Sequence, residues 1–185
     1  MVEFQDIQTA YYMVAATGVI VAAIYYIMTL RTTQRNMGHT LETRRLGLIE
    51  NIASGITDEE GQNRMIELEN YEWTDYLDFD KKYGSENNRG AAAKRYALWH
   101  DYNKIGMMLR KGFVEVDDLY VLGLWSVPVF WEKYKPIVEE TRRRYAGKEY
   151  LRDMEYLAAE MLKYIQSTDS SYRIPEKLFK FDPNK

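Results

Sequence analysis

The chain opens with a long apolar stretch and then changes to a mixed polar and apolar pattern of helical period. The run from Ile7 to Leu30 has 24 residues and no ionisable group other than tyrosine hydroxyls. A helix of that length reaches about 36 Å, more than a hydrocarbon layer of about 30 Å. Tyrosine pairs at positions 11–12 and 25–26 mark its two ends. We therefore predict a transmembrane helix; the alternative interpretation is a buried helix of a soluble bundle.

The charges on either side of this run predict its orientation. Glu3 and Asp6 precede it without any Lys or Arg, whereas four arginines follow it: Arg31, Arg35, Arg44 and Arg45. Because cytoplasmic flanks of membrane helices are rich in Lys and Arg, we expect the N-terminus outside and the bulk of the chain in the cytoplasm. The acidic start also lacks the basic region of a cleaved signal peptide. The prediction is an uncleaved, single-pass anchor in the cell membrane.

Two small residues share one face of the predicted anchor. Gly18 and Ala22 are four residues apart, the spacing of small-xxx-small pairs that let two membrane helices approach closely. They are candidate interaction residues for a second transmembrane helix. Contact with lipid alone is the other interpretation, because small residues are common in such segments.

The periodicity after the anchor predicts helices and almost no strand. We divide the chain into an N-terminal tail and anchor (1–30), a juxtamembrane helix (31–56), a helical domain (57–166) and a C-terminal tail (167–185). The predicted fold class is therefore all-α, with a transmembrane helix that continues into a cytoplasmic helical bundle. The chain after Leu30 is long enough for one compact domain.

Turn and cap signals subdivide the helical part. Ser54-Gly55 predicts the end of the juxtamembrane helix, and Thr57 with Glu60 forms a capping-box pattern. A helix over 58–82 should follow, with an apolar stripe that comprises Ile66, Trp73, Tyr76, Leu77 and Phe79.

Further along, a helix is predicted over 91–111, with Gly112 as its stop. Its apolar stripe comprises Ala92, Tyr96, Trp99, Tyr102, Ile105, Gly106 and Leu109. A short helix should run from Asp117 to Gly123, and a longer one should start near Pro128 and be kinked or interrupted at Pro136. The last predicted helix covers 148–166.

Charge differs between neighbouring segments of the domain. Residues 57–85 carry nine acids and three bases, a net charge of −6, whereas residues 86–114 carry six bases and two acids, a net charge of +4. We expect the two segments to pack antiparallel with complementary surfaces. A basic protein partner for the acidic segment is the competing interpretation.

Composition narrows the possible chemistry. The chain has no cysteine, which excludes disulfides, thiolate nucleophiles and Cys-ligated metals. Its net charge of −3 argues against nucleic acid as a main partner. Neither of its two histidines, His39 and His100, belongs to a metal-binding pair, and no phosphate-binding loop or nucleophile elbow is present. We therefore predict no cofactor, no metal and no catalytic residue.

Carboxylates leave one catalytic alternative open. Asp75, Asp78 and Asp80 lie close together near the end of the acidic segment, which is also what a solvated helix face shows. If such acids were buried together, a membrane-tethered hydrolase or nucleotide-handling enzyme with a noncanonical carboxylate site would follow.

The densest basic run is Arg142, Arg143 and Arg144. It could contact anionic lipid headgroups if the domain folds back toward the bilayer. Complementing the dipole at a helix end is the alternative.

A set of short segments in the C-terminal half resembles a known family. The resemblance covers about residues 90–165 and is carried by Tyr96-Ala97-Leu98-Trp99, Gly112-Phe113-Val114, Phe130-Trp131-Glu132-Lys133-Tyr134-Lys135-Pro136-Ile137, Tyr150-Leu151 and Met154-Glu155-Tyr156-Leu157-Ala158. These segments resemble a prokaryotic family of single-pass, membrane-anchored helical proteins classed as a domain of unknown function. The resemblance implies an all-helical cytoplasmic domain on one anchor, and it implies no catalytic residues.

Two aromatic residues of the Trp-Glu-Lys-Tyr-Lys-Pro segment are further candidates. Trp131 and Tyr134 are spaced to pack a helix junction, whereas an exposed Trp131 would indicate a protein interface. With an anchor, a core and no catalytic constellation, we predict a membrane-anchored helical interaction protein. Its partners would be the lipid bilayer and either another protein, as an accessory subunit of a membrane complex, or further copies of itself, as a scaffold.

Overall fold

The computed structural model describes residues 4–175. Within that range the chain is all-helical and has no strand, which confirms the all-α part of the predicted fold class. The helices are α1 (Phe4–Thr57), α2 (Glu59–Glu69), α3 (Tyr76–Tyr83), α4 (Arg89–Arg110), α5 (Val116–Val121), α6 (Val127–Thr141) and α7 (Arg152–Thr168). The predictions on Glu3 and on the end of the C-terminal tail lie outside the described residues.

The chain divides into two compact units, residues 1–46 and residues 47–185. The described part of the first unit is helix α1 up to position 46, and its side chains over 7–30 are exposed. By length and composition this helix is able to cross a membrane. Its threonine hydroxyls are satisfied internally: those of Thr9, Thr17 and Thr29 donate to carbonyls four residues earlier at 2.8–2.9 Å. Such bonding suits a polar side chain in an apolar solvent.

The core of the second unit is aromatic and centres on Tyr134 of α6, which is fully buried. Its ring lies 4.6 Å from Phe130, 5.1 Å from Trp73 and 5.4 Å from Trp99, measured between centroids. Its hydroxyl donates to the carbonyl of Leu68 at 2.8 Å, so the one polar atom of this ring is satisfied. Tyr134 thereby joins α6 to α2, α4 and the segment before α3.

Helices α4 and α7 pack closely at Gly106. A Cβ built on Gly106 would lie 1.8 Å from the carbonyl oxygen of Asp153, so only glycine allows this approach. Helix α7 has no cap from its own N-terminal residue Leu151, which adopts a left-handed conformation with φ of 56°. Asn103 of α4 supplies that cap instead, because its Oδ1 accepts from the N–H groups of Asp153 at 3.1 Å and of Met154 at 3.2 Å.

The expected pairing of acidic and basic segments is present between α2 and α4. Glu67 contacts Lys94 at 2.5 Å, and Arg64 contacts Asp101 at 3.5 Å. Rising numbers in α2 thus meet falling numbers in α4, and the two helices run antiparallel.

The predicted helix over 58–82 is wrong in one respect, because the structure has two helices there. Asn70 ends α2, with its side-chain nitrogen donating to the carbonyl of Ile66 at 2.7 Å, and Asp75 caps α3. The break rotates the expected stripe, so that Ile66 and Leu77 are exposed while Trp73 is buried. The cap of α2 is also shifted by one residue: Asp58 accepts from the N–H of Gly61 at 2.7 Å.

Two other helix boundaries differ from the prediction. Helix α1 continues through Ser54-Gly55 to Thr57, and Gln62 of α2 donates to the carbonyl of Ile56 near its end. Pro136 lies inside α6 and does not interrupt it; the irregular segment is a π-helical turn at Arg142–Ala146. Burial of the neighbouring residues Tyr134 and Ile137 compensates the hydrogen bond that proline cannot donate.

Candidate functional site

A cleft with aromatic walls lies between α3, α4, the end of α6 and the segment around Tyr150. We call it the Arg95 cleft. Its volume of about 670 Å³ falls in the range of about 300–1,000 Å³ that is usual for small-molecule sites. Six aromatic side chains line it: Tyr76, Phe79, Tyr96, Trp99, Tyr145 and Tyr150.

Arg95 is the unusual residue of the cleft, because it is only 4% exposed. One guanidinium nitrogen donates to the carbonyl of Tyr83 at 2.9 Å, but the buried Nε has no hydrogen-bond partner. No acidic side chain among residues 4–175 forms an ion pair with it. The guanidinium carbon lies 4.8 Å, 4.8 Å and 5.1 Å from the ring centroids of Phe79, Tyr96 and Trp99. Ring faces attract the cation and offset part of the cost of its burial.

Trp99 adds a second unsatisfied donor to the same cleft. It is 1% exposed, and its indole Nε1 has no hydrogen-bond partner within the described range. Trp99 follows Arg95 by one helical turn, so α4 brings both to one face. Since most buried polar groups in proteins are paired, a buried guanidinium that lines a cleft without an acid suits a site for an acceptor. The Nε of Arg95 and the Nε1 of Trp99 are themselves closed off from solvent.

Tyrosine hydroxyls of the cleft are further donors. Burial raises the pKa of Tyr150 to about 12, and burial likewise raises the pKa of Tyr76. Both hydroxyls therefore keep their protons at neutral pH. His100 also lines the cleft, is exposed, and stacks on Tyr96 with ring centroids 6.4 Å apart.

Two acids line the cleft as well, and both are exposed: Asp80 and Glu86. The other acids of the predicted group have structural contacts. Asp75 accepts from the N–H of Asp78 at 2.9 Å, and Asp78 pairs with Lys82 at 2.7 Å. The hydrogen bond from Lys82 lowers the pKa of Asp78, so this carboxyl is ionised at neutral pH. Within the described part of the chain no group of acids and histidines could hold a metal ion.

The two aromatic candidates of the Trp-Glu-Lys-Tyr-Lys-Pro segment both lie in the core. Trp131 is 5% exposed and Tyr134 is fully buried, so neither presents the exposed ring that an interface needs. Lys133 between them is buried too, and its ammonium donates to the carbonyl of Glu69 at 2.5 Å. Burial lowers the pKa of Lys133 to about 8.

Each of the three arginines predicted as a basic patch contacts an acid of the domain. Arg142 contacts Glu155 at 2.9 Å and donates to the carbonyl of Tyr150 at 2.8 Å. Arg143 and Arg144 share Glu140, at 2.6 Å and 2.5 Å, and their hydrogen bonds lower the pKa of that carboxyl to about 2. Their charge is thus largely compensated inside the domain.

The two small residues of the predicted membrane helix belong to the first unit and do not line the cleft. Gly18 has open space around the position of a Cβ, and Ala22 is exposed. The seam with a second helix stays a prediction.

The sequence reasoning missed Arg95, although a signal was present. The stripe of α4 was assigned to Tyr96, whereas Arg95 occupies the buried position between Ala92 and Trp99. A charged residue at a position of the helix where the neighbours at that spacing are buried is the signal that indicates the site. Comparisons of the chain with protein-family models, curated proteins and solved structures found no match.

Proposed function

We propose that this chain is a single-pass membrane protein whose helical domain binds a small anionic ligand in the Arg95 cleft. One observation carries the proposal: a buried guanidinium lines the cleft without an acidic partner among the described residues. A bound carboxylate or phosphate would supply the missing countercharge to the guanidinium of Arg95. The domain would then act as a ligand-responsive binding module rather than as a catalyst.

Energetics supports this proposal. A buried ion without a partner costs several kcal/mol even after relaxation, and a cation over an aromatic ring recovers about 0.5–2 kcal/mol. The three rings around Arg95 make its burial tolerable without neutralising its charge. A buried arginine that destabilises the fold in this way suits a role in binding an anion.

Calorimetric titration of the full chain in detergent micelles tests the proposal, with benzoate and inorganic phosphate as probes. At least one probe should bind. Arg95→Lys keeps the charge and loses the planar fork of donors, so it should weaken binding about tenfold or more. Arg89→Lys, an exposed change in the same helix outside the cleft, is the matched control and should bind like the parent. Absence of binding to both probes by a folded parent protein would refute the proposal.

The cellular location belongs to the same proposal. The uncharged stretch 7–30 of α1 would cross the membrane, with the four arginines after it on the cytoplasmic side. Because the chain has no cysteine, single cysteines can report topology directly. Gln5→Cys should react with a membrane-impermeant maleimide on intact cells, and Ser170→Cys should react only after lysis. The reverse pattern would overturn the orientation.

A second candidate function is protein interaction, as an accessory subunit or scaffold. It is favoured by exposed apolar side chains around α5, where Val121 is 79% and Trp125 is 53% exposed. Tryptophan is enriched at binding hot spots. If copies of the chain self-associate through these side chains, a Val121→Ser/Trp125→Ser double variant should lower the mass of the protein–micelle complex measured by light scattering. If the predicted contact between membrane helices also contributes, Gly18→Leu should lower that mass as well. If the parent protein is monomeric at every concentration measured, the scaffold hypothesis is refuted and only the accessory-subunit hypothesis is left.

Membership of the prokaryotic family with the Trp-Glu-Lys-Tyr-Lys-Pro segment stays a proposal that rests on that segment. The catalytic alternative required several acids buried together in a cleft. The Arg95 cleft instead combines a buried guanidinium with exposed carboxylates, which favours ligand binding over carboxylate catalysis.

A further inference from the structure

The Arg95 cleft has opposite charges at different depths. Arg95 is buried, whereas Asp80 and Glu86, which line the same cleft, are exposed. The inner end is therefore positive and the outer rim is negative. No Lys or Arg within residues 4–175 forms an ion pair with either rim carboxylate.

Other charges near the rim do not cancel this polarity. The guanidinium of Arg144 lies 4.5 Å from the ring centroid of Tyr76, but it pairs with Glu140 at 2.5 Å. Glu140 also pairs with Arg143 at 2.6 Å, so these three side chains keep one net positive charge against the two carboxylates of the rim. A ligand would thus meet exposed carboxylates on entry and a buried guanidinium at the end of its path.

Resting on the proposed function, we infer that the ligand is a bipolar molecule with a carboxylate at one end, a flat aromatic body and an ammonium group at the other end. The carboxylate would accept from the guanidinium of Arg95, and the ammonium would lie near Asp80 and Glu86. The aromatic walls of the cleft would hold the flat body between them.

Three features fit this class, and the first and third of them favour it over phosphate esters. A dianionic phosphate would have to pass two like charges at the rim, which disfavours it. Planar rings stack well on aromatic walls, and each such contact adds to the buried apolar area. The protonated hydroxyls of Tyr76 and Tyr150 offer neutral donors that suit a monoanion.

The test compares three probes on the full chain in detergent micelles by calorimetric titration. Benzoate has the carboxylate and the ring, 4-(aminomethyl)benzoate adds the ammonium, and phenyl phosphate replaces the carboxylate by a dianion. We expect 4-(aminomethyl)benzoate to bind about fivefold or more tightly than benzoate, the gain of one exposed charge pair. Phenyl phosphate should bind more weakly than benzoate.

A rim variant then assigns the preference to its residues. Asp80→Asn/Glu86→Gln should abolish the fivefold gain and leave benzoate affinity within about twofold. The control variant Glu59→Gln/Glu132→Gln changes the net charge equally, lies outside the cleft and should keep the gain. Tighter binding of phenyl phosphate than of benzoate, or an ammonium preference that survives in the rim variant, would overturn the inference while the proposed function stands. Failure of all three probes and of phosphate would refute the proposed function itself.

Discussion

Replacement of Gly106 by alanine should strongly destabilise the helical domain. The new Cβ would lie 1.8 Å from the carbonyl oxygen of Asp153 and 3.2 Å from the Cβ of Leu157. Backbone cannot rotate away as a side chain can, so α4 and α7 must separate by about 1–2 Å to restore ordinary contact distances. Overpacking costs about 1–3 kcal/mol. Arg110 of α4 also pairs with Asp153 of α7 at 2.7 Å. Weakening the cap from Asn103 and this ion pair adds about 1–2 kcal/mol, for a total of about 2–5 kcal/mol.

Tryptophan fluorescence during urea unfolding of the full chain in micelles measures this effect. All four tryptophans lie at position 73 or later, so the signal reports the helical domain and not helix α1. Gly90→Ala is the matched control in the same helix, since its Cβ would meet only Asn88 Oδ1 at 3.7 Å. The control should be neutral or stabilising by up to about 1 kcal/mol. If Gly106→Ala unfolded with the parent's midpoint and slope, the tight packing of α4 on α7 would be wrong.

The same unfolding assay checks three further predictions. Asn103→Ala removes the cap of α7 and should cost about 1–2 kcal/mol. Asn63→Ala, at an exposed position of α2, should change the free energy of unfolding little. Tyr134→Phe removes the hydroxyl that donates to the carbonyl of Leu68, which keeps only the N–H of Tyr71 at 3.2 Å, and should cost about 0.5–1.5 kcal/mol; an unchanged midpoint would contradict the hydroxyl's bond. Folded Lys133 has a pKa of about 8 against 10.5 for the ordinary lysine, so the unfolded state holds more protons between these values and stability rises with pH. After allowance for solvent screening the rise should be about 1 kcal/mol by pH 9.5, and Lys133→Met should abolish it.

Local sequence signals predicted the parts of the fold that depend on one helix at a time. The stripe of α4 from Ala92 to Ile105 is buried largely as its spacing indicated, and Gly112 ends that region with φ of 72°. The acidic and basic segments do meet, through Glu67 and Lys94. Each of these features follows from periodicity, from a glycine at a helix end or from net charge, which are properties of a single segment or of two neighbours.

The break between α2 and α3 could not be predicted in this way. Apolar residues continue across it at helical spacing, and the caps at Asn70 and Asp75 act together with the tertiary contacts of Tyr71 and Trp73. The ring of Tyr71 stacks on Tyr83 with centroids 3.9 Å apart, and Trp73 contacts Phe79 at 5.0 Å. Both contacts fold the chain back on itself, which a continuous helix would forbid. Tertiary packing therefore outweighed local propensity.

The Arg95 cleft shows the same limit at the level of function. A charged side chain on a helix is ordinarily read as solvent-facing, and Arg95 becomes a buried cation only because Phe79 of α3 approaches it from another segment. The neighbouring rings of Tyr96 and Trp99 come from α4 itself and were visible in the sequence. What no single segment could show is that these rings enclose a guanidinium without providing an acid. The assembly of helices creates this arrangement, with a buried positive charge inside the cleft and Asp80 and Glu86 at its rim. The proposed binding chemistry therefore depends on the tertiary fold, and no local sequence motif encodes it.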